Sequence, residues 1–213
     1  LNKLENMLLP SDSDLGTFIG RFFNSLQDVA SRPDELSART VAIESGKALA
    51  NSFNNYDNQV DNFKNTANRE SSKYLKQANG VLTQLAQVNK LIMSGGSKNS
   101  SPDILDARDK LLLELSKYIN FTVDYGDSGD VKIRSGVSGN GNILLDKTQN
   151  SIMSHSIQEN RLSFNLARGG KNTAINDMSS GLLAGIKNFY DLLGEVQSEI
   201  SDLALRVTKD FND

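Results

Sequence analysis

Cysteine is absent from this sequence, and histidine occurs once, at residue 155. Without cysteine the chain forms no disulfide bond, no thiolate metal site and no cysteine nucleophile. A single histidine excludes most chemistry that depends on imidazole groups. The absence of cysteine is compatible both with the cytosol and with export of an unfolded chain.

Apolar and aromatic residues are also few, and the charge is nearly balanced. Hydrophobic residues make up 38% and aromatic residues 7% of the 213 residues, which favours a thin helical bundle with much surface. The 23 basic and 26 acidic residues are interleaved, so no basic patch indicates nucleic acid or an anionic membrane as a partner. No apolar run approaches the roughly 18 residues that a membrane-spanning helix needs, and no signal peptide opens the chain.

Proline is missing from residues 34–93, and this stretch has only two glycines. Apolar or small residues recur there in alternating steps of four and three, with one pair of fours around Ala67. The members of this stripe are Leu49, Phe53, Tyr56, Val60, Phe63, Ala67, Ser71, Tyr74, Ala78, Val81, Leu85, Val88 and Ile92. The spacing predicts one helix with a coiled-coil seam, on the order of 90 Å long at about 1.5 Å per residue. Partner helices must cover that seam.

A second stripe near the end of the chain predicts the partner of the long helix. Its members are Leu182, Leu183, Ile186, Phe189, Leu193, Val196, Ile200, Leu203, Val207 and Phe211. From residue 186 to 207 the steps again alternate between three and four. Gly194 and Tyr190 are candidate positions for a bend.

Shorter helices are predicted elsewhere. Residues 1–9 have the pattern of a helix end, and residues 15–29 form a helix whose cap comes from residues 11–14. Pro33 is expected in the first turn of the long helix, because proline is tolerated there. Gly95 and Gly96 are expected to end it, and a further helix runs from Pro102 to about residue 120.

The period changes from helical to alternating at residue 121. Short strands are predicted at residues 121–125, 131–134, 142–145, 152–157 and 161–167. They form one small antiparallel sheet, with a hairpin turn at residues 126–130. The predicted fold is therefore mainly α with a small β region, an elongated helical bundle or coiled coil with an inserted antiparallel β subdomain. Residues 1–120 and 171–213 are assigned to the bundle, and residues 121–170 to the β subdomain.

Acidic residues gather in the predicted helix after Pro102, at Asp103, Asp106, Asp109 and Glu114. One interpretation is a carboxylate pair for acid–base chemistry or for a hard cation. The other is structural, because acids in the first turns stabilise the helix dipole and pair with basic neighbours such as Arg108. No second acid cluster or anion site accompanies them, so we predict no catalytic residue, no metal and no cofactor.

Other polar motifs also have a structural interpretation. Residues 124–130 resemble a calcium loop but lack its spacing and its closing glutamate, which favours a hairpin turn. Gly136, Gly139 and Gly141 resemble a phosphate loop only loosely, since no Lys-Ser or Lys-Thr pair directly follows the last glycine and no helix is predicted to begin there. His155 lies in a predicted strand and has no predicted ligand partner. Seven asparagines between residues 51 and 68 form either a solvated face or a polar surface for lateral hydrogen bonds between subunits.

Several segments resemble one known family in the order expected of it. The most specific is residues 103–116, DILDARDKLLLELS, which resembles the family run D-L-x-D-x-R-D-x-L-x-x-E-L-S. Residues 15–30 (LGTFIGRFFNSLQDVA), 32–39 and 48–54 also match. Residues 138–144 and 180–185 match more weakly, and Tyr190 stands where the family shows arginine. The chain is similar to the bacterial flagellar hook-associated protein 1 family, the proteins of the hook-filament junction.

This resemblance implies a structural subunit without enzymatic activity. It implies export through the flagellar type III apparatus and a place in the extracellular flagellum. The implied partners are other copies of the chain in an axial ring, the hook protein and the next junction protein. The resemblance also implies that this sequence is a core fragment without the two terminal polymerisation segments of the family, so we expect it to be monomeric alone.

The residues predicted to carry the structural role are those of the two stripes and of the acidic helix. They are Leu49, Phe53, Tyr56, Val60, Phe63, Leu85, Ile92, Asp106, Arg108, Asp109, Leu193, Ile200 and Leu203. The alternative function is an adhesive or ligand-binding module displayed on a helical stalk. That alternative predicts an enclosed apolar pocket with convergent polar groups.

Overall fold

The computed structural model describes residues 14–95 and 101–212. Within them lie four helices: α1 (Leu15–Ser31), α2 (Leu36–Gly95), α3 (Pro102–Ser116) and α4 (Leu182–Asn212). The strands are β1 (Phe121–Tyr125), β2 (Val131–Ser135), β3 (Ile143–Asp146), β4 (Gln149–Asn150), β5 (Ile152–Gln158), β6 (Arg161–Arg168) and β7 (Lys171–Ala174). The predicted class, mainly helical with a small antiparallel β region, is confirmed.

Helix α2 contains 60 residues, and it begins at Leu36, not at residue 34. Pro33 therefore lies in the turn before α2, and its placement in the first turn of the helix is wrong. The Nε atom of Arg39 donates a hydrogen bond to the carbonyl oxygen of Pro33 at 2.9 Å, which fixes this turn. The predicted helix end at residues 1–9, and Gly96, lie outside the described residues.

The other helix boundaries follow their caps. Asp14 caps α1, because its carboxylate accepts a hydrogen bond from the backbone nitrogen of Thr17 at 2.6 Å. Helix α3 ends at Ser116, four residues before the predicted end. The next residues form a turn in which the backbone nitrogen of Tyr118 donates to the carbonyl of Leu115 at 3.0 Å. Helix α4 continues as one element through Tyr190 and Gly194.

The strands form two sheets, so the prediction of one sheet is wrong. One sheet has the order β1-β2-β3-β4 and the other the order β5-β6-β7, with antiparallel neighbours throughout. Ser151 separates them: its backbone nitrogen donates to Leu144 at 2.8 Å, and its hydroxyl donates to Ile143 at 2.7 Å. The sequence did not reveal β4, which has two residues, or β7, whose residues are all exposed and polar or small.

By packing, the chain divides into two compact units. The first contains the described residues 14–64 and 193–212, which are helical apart from the loop between α1 and α2. The second contains residues 65–192 and holds both sheets, α3 and one continuous hydrophobic core that includes Leu85, Leu115 and Phe164. The division into residues 1–120 with 171–213 against 121–170 follows the type of element, and it stays a prediction.

Candidate functional site

The seam predicted for α2 faces inward along its length. In the first unit Leu49 and Val60 are buried, and Phe53, Tyr56 and Phe63 are partly buried. In the second unit the seam residues are buried or partly buried from Ala67 to Ile92: Ala67, Ser71, Tyr74, Ala78, Val81, Leu85, Val88 and Ile92. A row of thirteen residues with none exposed is the arrangement that a packed helix face requires.

Three of the ten residues in the stripe predicted for α4 are exposed: Leu182, Leu203 and Phe211. Leu193 is buried and Ile200 is partly buried, but Leu203 is 36% exposed. The inward positions after Ile200 are Ala204 and Val207, which line an apolar groove with Phe53 of α2. The structural role predicted for Leu203 stays a prediction, although its side chain lies off the packed face. The small side chain of Ala204 helps to leave a groove of about 350 Å³.

Arg108 connects α3 to the hairpin of β1 and β2. Its side chain is 10% exposed, and its Nη1 atom donates to the carbonyl oxygen of Gly129 at 2.7 Å. The guanidinium also lies over the ring of Tyr125, 5.0 Å from the centroid, and pairs with Asp109 at 2.8 Å. A planar guanidinium supports these contacts together, because it donates in several directions and stacks on aromatic rings. Arg108 therefore holds the hairpin turn on α3.

The acidic residues around Arg108 do not converge. Asp103 and Asp106 are exposed, and Asp109 is bound to Arg108. Glu114 accepts hydrogen bonds from Lys117 at 2.6 Å and from the hydroxyl of Tyr118 at 2.8 Å. These bonds, first that of Lys117 and then that of Tyr118, lower the pKa of Glu114. A base for proton abstraction needs a raised pKa or a free lone pair aimed at a substrate, so this arrangement supports the structural interpretation.

Two asparagines of α2 hold one strand of each sheet. Asn89 is fully buried. Its side-chain oxygen accepts a hydrogen bond from the backbone nitrogen of Val131 at 2.9 Å. Its side-chain nitrogen donates to the carbonyl of Val131 at 2.7 Å and to that of Lys147 at 2.8 Å. Asn79 does the same for Met153, with both bonds at 2.8 Å. Each side-chain amide thus bonds both backbone groups of one strand residue, as a neighbouring strand would.

Sequence reasoning did not single out these two asparagines. A signal was present for Asn89, because it lies between Leu85 and Ile92 on the stripe side of the helix, where a polar residue is unusual. A buried amide of this kind must find partners. Asn79 carries the same signal, because it lies between Leu75 and Leu82 at the same spacings of four and three.

His155 packs against α2 and has two polar neighbours. Its Nε2 atom lies 2.7 Å from Oδ1 of Asn68, and its Nδ1 atom lies 3.3 Å from the hydroxyl of Ser71. The ring also meets Phe164 edge-on, with centroids 6.5 Å apart. Burial lowers the pKa of His155, so the neutral imidazole is favoured. Asn68, one of the seven asparagines, therefore takes part in packing within the chain.

The glycine-rich turn after β2 surrounds a carboxylate. A Cβ atom on Gly136 would lie 2.4 Å from Asp177, and one on Gly141 would lie 1.8 Å from the carbonyl oxygen of Ser135. Asp177 also accepts a hydrogen bond from the hydroxyl of Ser135 at 3.1 Å. The glycines are required by this close approach. A carboxylate in the middle of the loop would repel phosphate, which supports the interpretation as a turn.

The loop from residue 124 to 130 is a hairpin turn. The backbone nitrogen of Gly126 donates to the carbonyl of Asp130 at 2.8 Å, and that of Gly129 donates to Gly126 at 2.9 Å. Asp124 lies 3.9 Å from Arg134. Across residues 14–95 and 101–212, no three His, Asp or Glu side chains come close enough together to hold a metal ion. No helix in the same ranges is long and apolar enough to cross a bilayer.

Comparison with known proteins gives consistent matches. The family model described as the flagellar hook-associated protein FlgK helical domain matches residues 1–213. Flagellar hook-associated protein 1 of Bacillus subtilis (strain 168) is 30% identical over 154 residues, 71% of this chain and 30% of the relative. Flagellar hook-associated protein 1 of Escherichia coli (strain K12) is 28% identical over 222 residues, all of this chain and 40% of the relative. The chain thus spans 30% to 40% of the length of these relatives.

One solved structure has the same fold. The flagellar hook junction protein FlgK from Burkholderia pseudomallei superposes with a TM-score of 0.77 at 22% identity. The match covers 88% of this chain and 35% of that protein.

Proposed function

Because this chain belongs to the family of the flagellar hook-associated protein FlgK helical domain, we propose that it is part of a structural subunit at the hook-filament junction of a bacterial flagellum. The family match over residues 1–213 is the observation that carries the proposal. The geometry of the described residues supports it, because Arg108, Asn79 and Asn89 bind the chain's own backbone. Such side chains stabilise a scaffold.

The subunit acts by packing against other proteins and not by catalysis. Its proposed partners are further copies arranged in an axial ring, the hook protein and the next junction protein. It is exported through the flagellar type III apparatus and resides in the extracellular flagellum. The relatives named flagellar hook-associated protein 1 support this assignment.

No observation in the described ranges favours the adhesive alternative. That alternative expects an enclosed apolar pocket with convergent polar groups. The groove beside Ala204 and Val207 is open to solvent, and most of its lining is apolar.

Deletion of the gene in the bacterium that encodes this chain tests the proposal. We expect hooks without attached filaments, and recovery of swimming when the full-length gene is supplied again. A full-length gene with Leu85→Asp should fail to restore swimming, because Leu85 is fully buried in the core. A matched gene with Asp106→Asn should restore it, because Asp106 is exposed. Normal filaments in the deletion strain would contradict the proposal.

The chain alone is expected to be a monomer in dilute solution. Light scattering should give the mass of one chain, 23.3 kDa. A stable oligomer of defined size would contradict this expectation.

A further inference from the structure

The apolar residues of α4 do not by themselves determine how α4 aligns with α2 in the first unit. Leu193, Ile200 and Val207 recur every seven residues. A shift of α4 by seven residues would again place apolar side chains opposite the seam of α2. Repeating seams of this kind commonly rely on a buried polar residue to choose one alignment.

A polar cluster in the same interface breaks the repeat. We define the register cluster as Lys64, Asp57 and Asp61 of α2 with Gln197 of α4. Lys64 is 6% exposed, and its ammonium group donates a hydrogen bond to the side-chain oxygen of Gln197. The side-chain nitrogen of Gln197 donates to Asp57 at 2.7 Å and to Asp61 at 3.2 Å. One glutamine therefore meets three polar groups of α2.

A shifted α4 would lose these contacts. Seven residues before and after Gln197 stand Tyr190 and Ala204. Alanine has no polar side-chain atom, and the single hydroxyl of tyrosine cannot donate to two carboxylates at once. The shift that brings in Ala204 would leave Lys64 buried without an acceptor from α4, which is costly for a charged group. The shift that brings in Tyr190 would offer one hydroxyl in place of an amide that accepts from Lys64 and donates to Asp57 and Asp61.

The position of the cluster along α4 adds to its importance. Gly194 precedes Gln197 by less than one helical turn, and glycine is a poor helix former. Helix α4 is continuous, so a shift of its later part would require local unwinding, and unwinding costs least at a glycine. Burial also lowers the pKa of Lys64, with Asp61 and Asp57 acting in the opposite direction. Removing the ammonium group of Lys64 from water therefore opposes folding. This is expected of a group that selects one alignment of α4 on α2 without stabilising the folded chain.

We propose that the register cluster fixes the alignment of α4 on α2 in the first unit, and that its contribution is to specificity and not to stability. The cluster disfavours alignments of α4 on α2 in which an apolar residue faces Lys64. This role does not depend on the assembly that the protein enters.

Distance measurements between spin labels test this proposal directly. The absence of cysteine allows specific labelling of Asn58→Cys on α2 and Lys209→Cys on α4, both at exposed positions. The labelled chain should give a single distance population. With Lys64→Met and Gln197→Leu added, the helices should still form, and a second population should appear, because a shift of seven residues moves α4 by about 10 Å along α2.

Controls distinguish a change in the alignment of α4 from a general effect of removing a positive charge. Lys47→Met removes an exposed lysine of α2 that pairs with Glu44, and it should leave the single population unchanged. Urea unfolding gives a second measurement: Gln197→Leu alone should lower the midpoint, and adding Lys64→Met should restore it. The proposal is overturned by a single unchanged population in the doubly substituted chain, by failure of that chain to fold, or by a midpoint below that of Gln197→Leu.

Discussion

The two compact units use the same long helix but bury their side chains to different depths. In residues 65–192, Leu82, Leu85 and Phe164 are fully enclosed by α3, α4 and the two sheets. In the first unit Phe22 and Phe53 stay partly exposed. Among the described residues, nearly all of the largest fully buried side chains lie in the second unit. Local unfolding should therefore begin in the first unit, because segments with little buried apolar area open most easily.

The largest effect should come from placing a charge in the core of the second unit. Leu85→Asp should lower the free energy of unfolding by about 4 kcal/mol, because Leu85 is fully buried and the carboxylate would have no partner. The same substitution at a residue of the first unit that lies off the packed face, Leu203→Asp, should cost about 1 kcal/mol or less, since Leu203 is 36% exposed. Urea unfolding measures both. Equal losses would show that the burial of Leu85 does not determine the cost of the charge.

A smaller effect is expected at the asparagine that holds β2. Asn89→Leu should cost about 3 kcal/mol, because it leaves the buried backbone groups of Val131 and the partly buried carbonyl of Lys147 without this partner. Asn58→Leu, at an exposed asparagine of the first unit, should change stability by about 0.5 kcal/mol or less. Thermal unfolding of the two variants provides the comparison. A neutral Asn89→Leu would mean that the strand docks without this amide.

The contacts of Arg108 predict a moderate effect. Arg108→Lys keeps the positive charge but loses the planar guanidinium, which donates in several directions and stacks on Tyr125. It should lower the free energy of unfolding by about 1.5 kcal/mol. Asp106→Asn, in the same helix, should cost about 0.5 kcal/mol or less because Asp106 is exposed. Amide hydrogen exchange at residues 126–130 should also become faster only in the Arg108 variant. Equal behaviour of the two variants would remove Arg108 from the structural role.

The smallest effect concerns pH. Burial lowers the pKa of His155 in the folded protein, so the unfolded chain binds the proton more readily. Stability from this group is therefore complete above about pH 6.5, the ordinary histidine value, and declines as the pH falls below it. Urea midpoints between pH 7.5 and 5.5 should fall for the native chain, and the fall should be smaller for His155→Gln. An identical fall in both chains would assign the pH dependence to other groups.

The periodicity of apolar residues predicted the helices well, because a buried helix face requires apolar residues at regular spacings along the sequence. The thirteen-residue seam of α2 follows from the sequence, since every member must face the same side. The same reasoning chose Leu203 on α4, where the packed face continues through Ala204 instead. An ideal helix has 3.6 residues per turn, so a strict alternation of three and four drifts off the face.

The sheets and the polar contacts were harder to predict because they depend on residues that are distant in the sequence. Asn79 reaches Met153, and Asn89 reaches Val131 and Lys147, across separations that no local pattern encodes. The sequence suggested that Arg108 pairs with a neighbouring acid, and it does pair with Asp109, but the residue pattern gave no sign of the bond to the carbonyl of Gly129. Ser151 lies between the two sheets and donates its hydroxyl to the carbonyl of Ile143, but a single serine in a polar stretch gives no signal of such a break.

The amide of Asn79 also covers one border of the second sheet. β5 is the first strand in the order of that sheet, and an exposed strand border is a template on which another chain can add a strand. Asn79 already occupies both backbone groups of Met153 on β5. At this residue, a helix therefore protects the strand against aggregation.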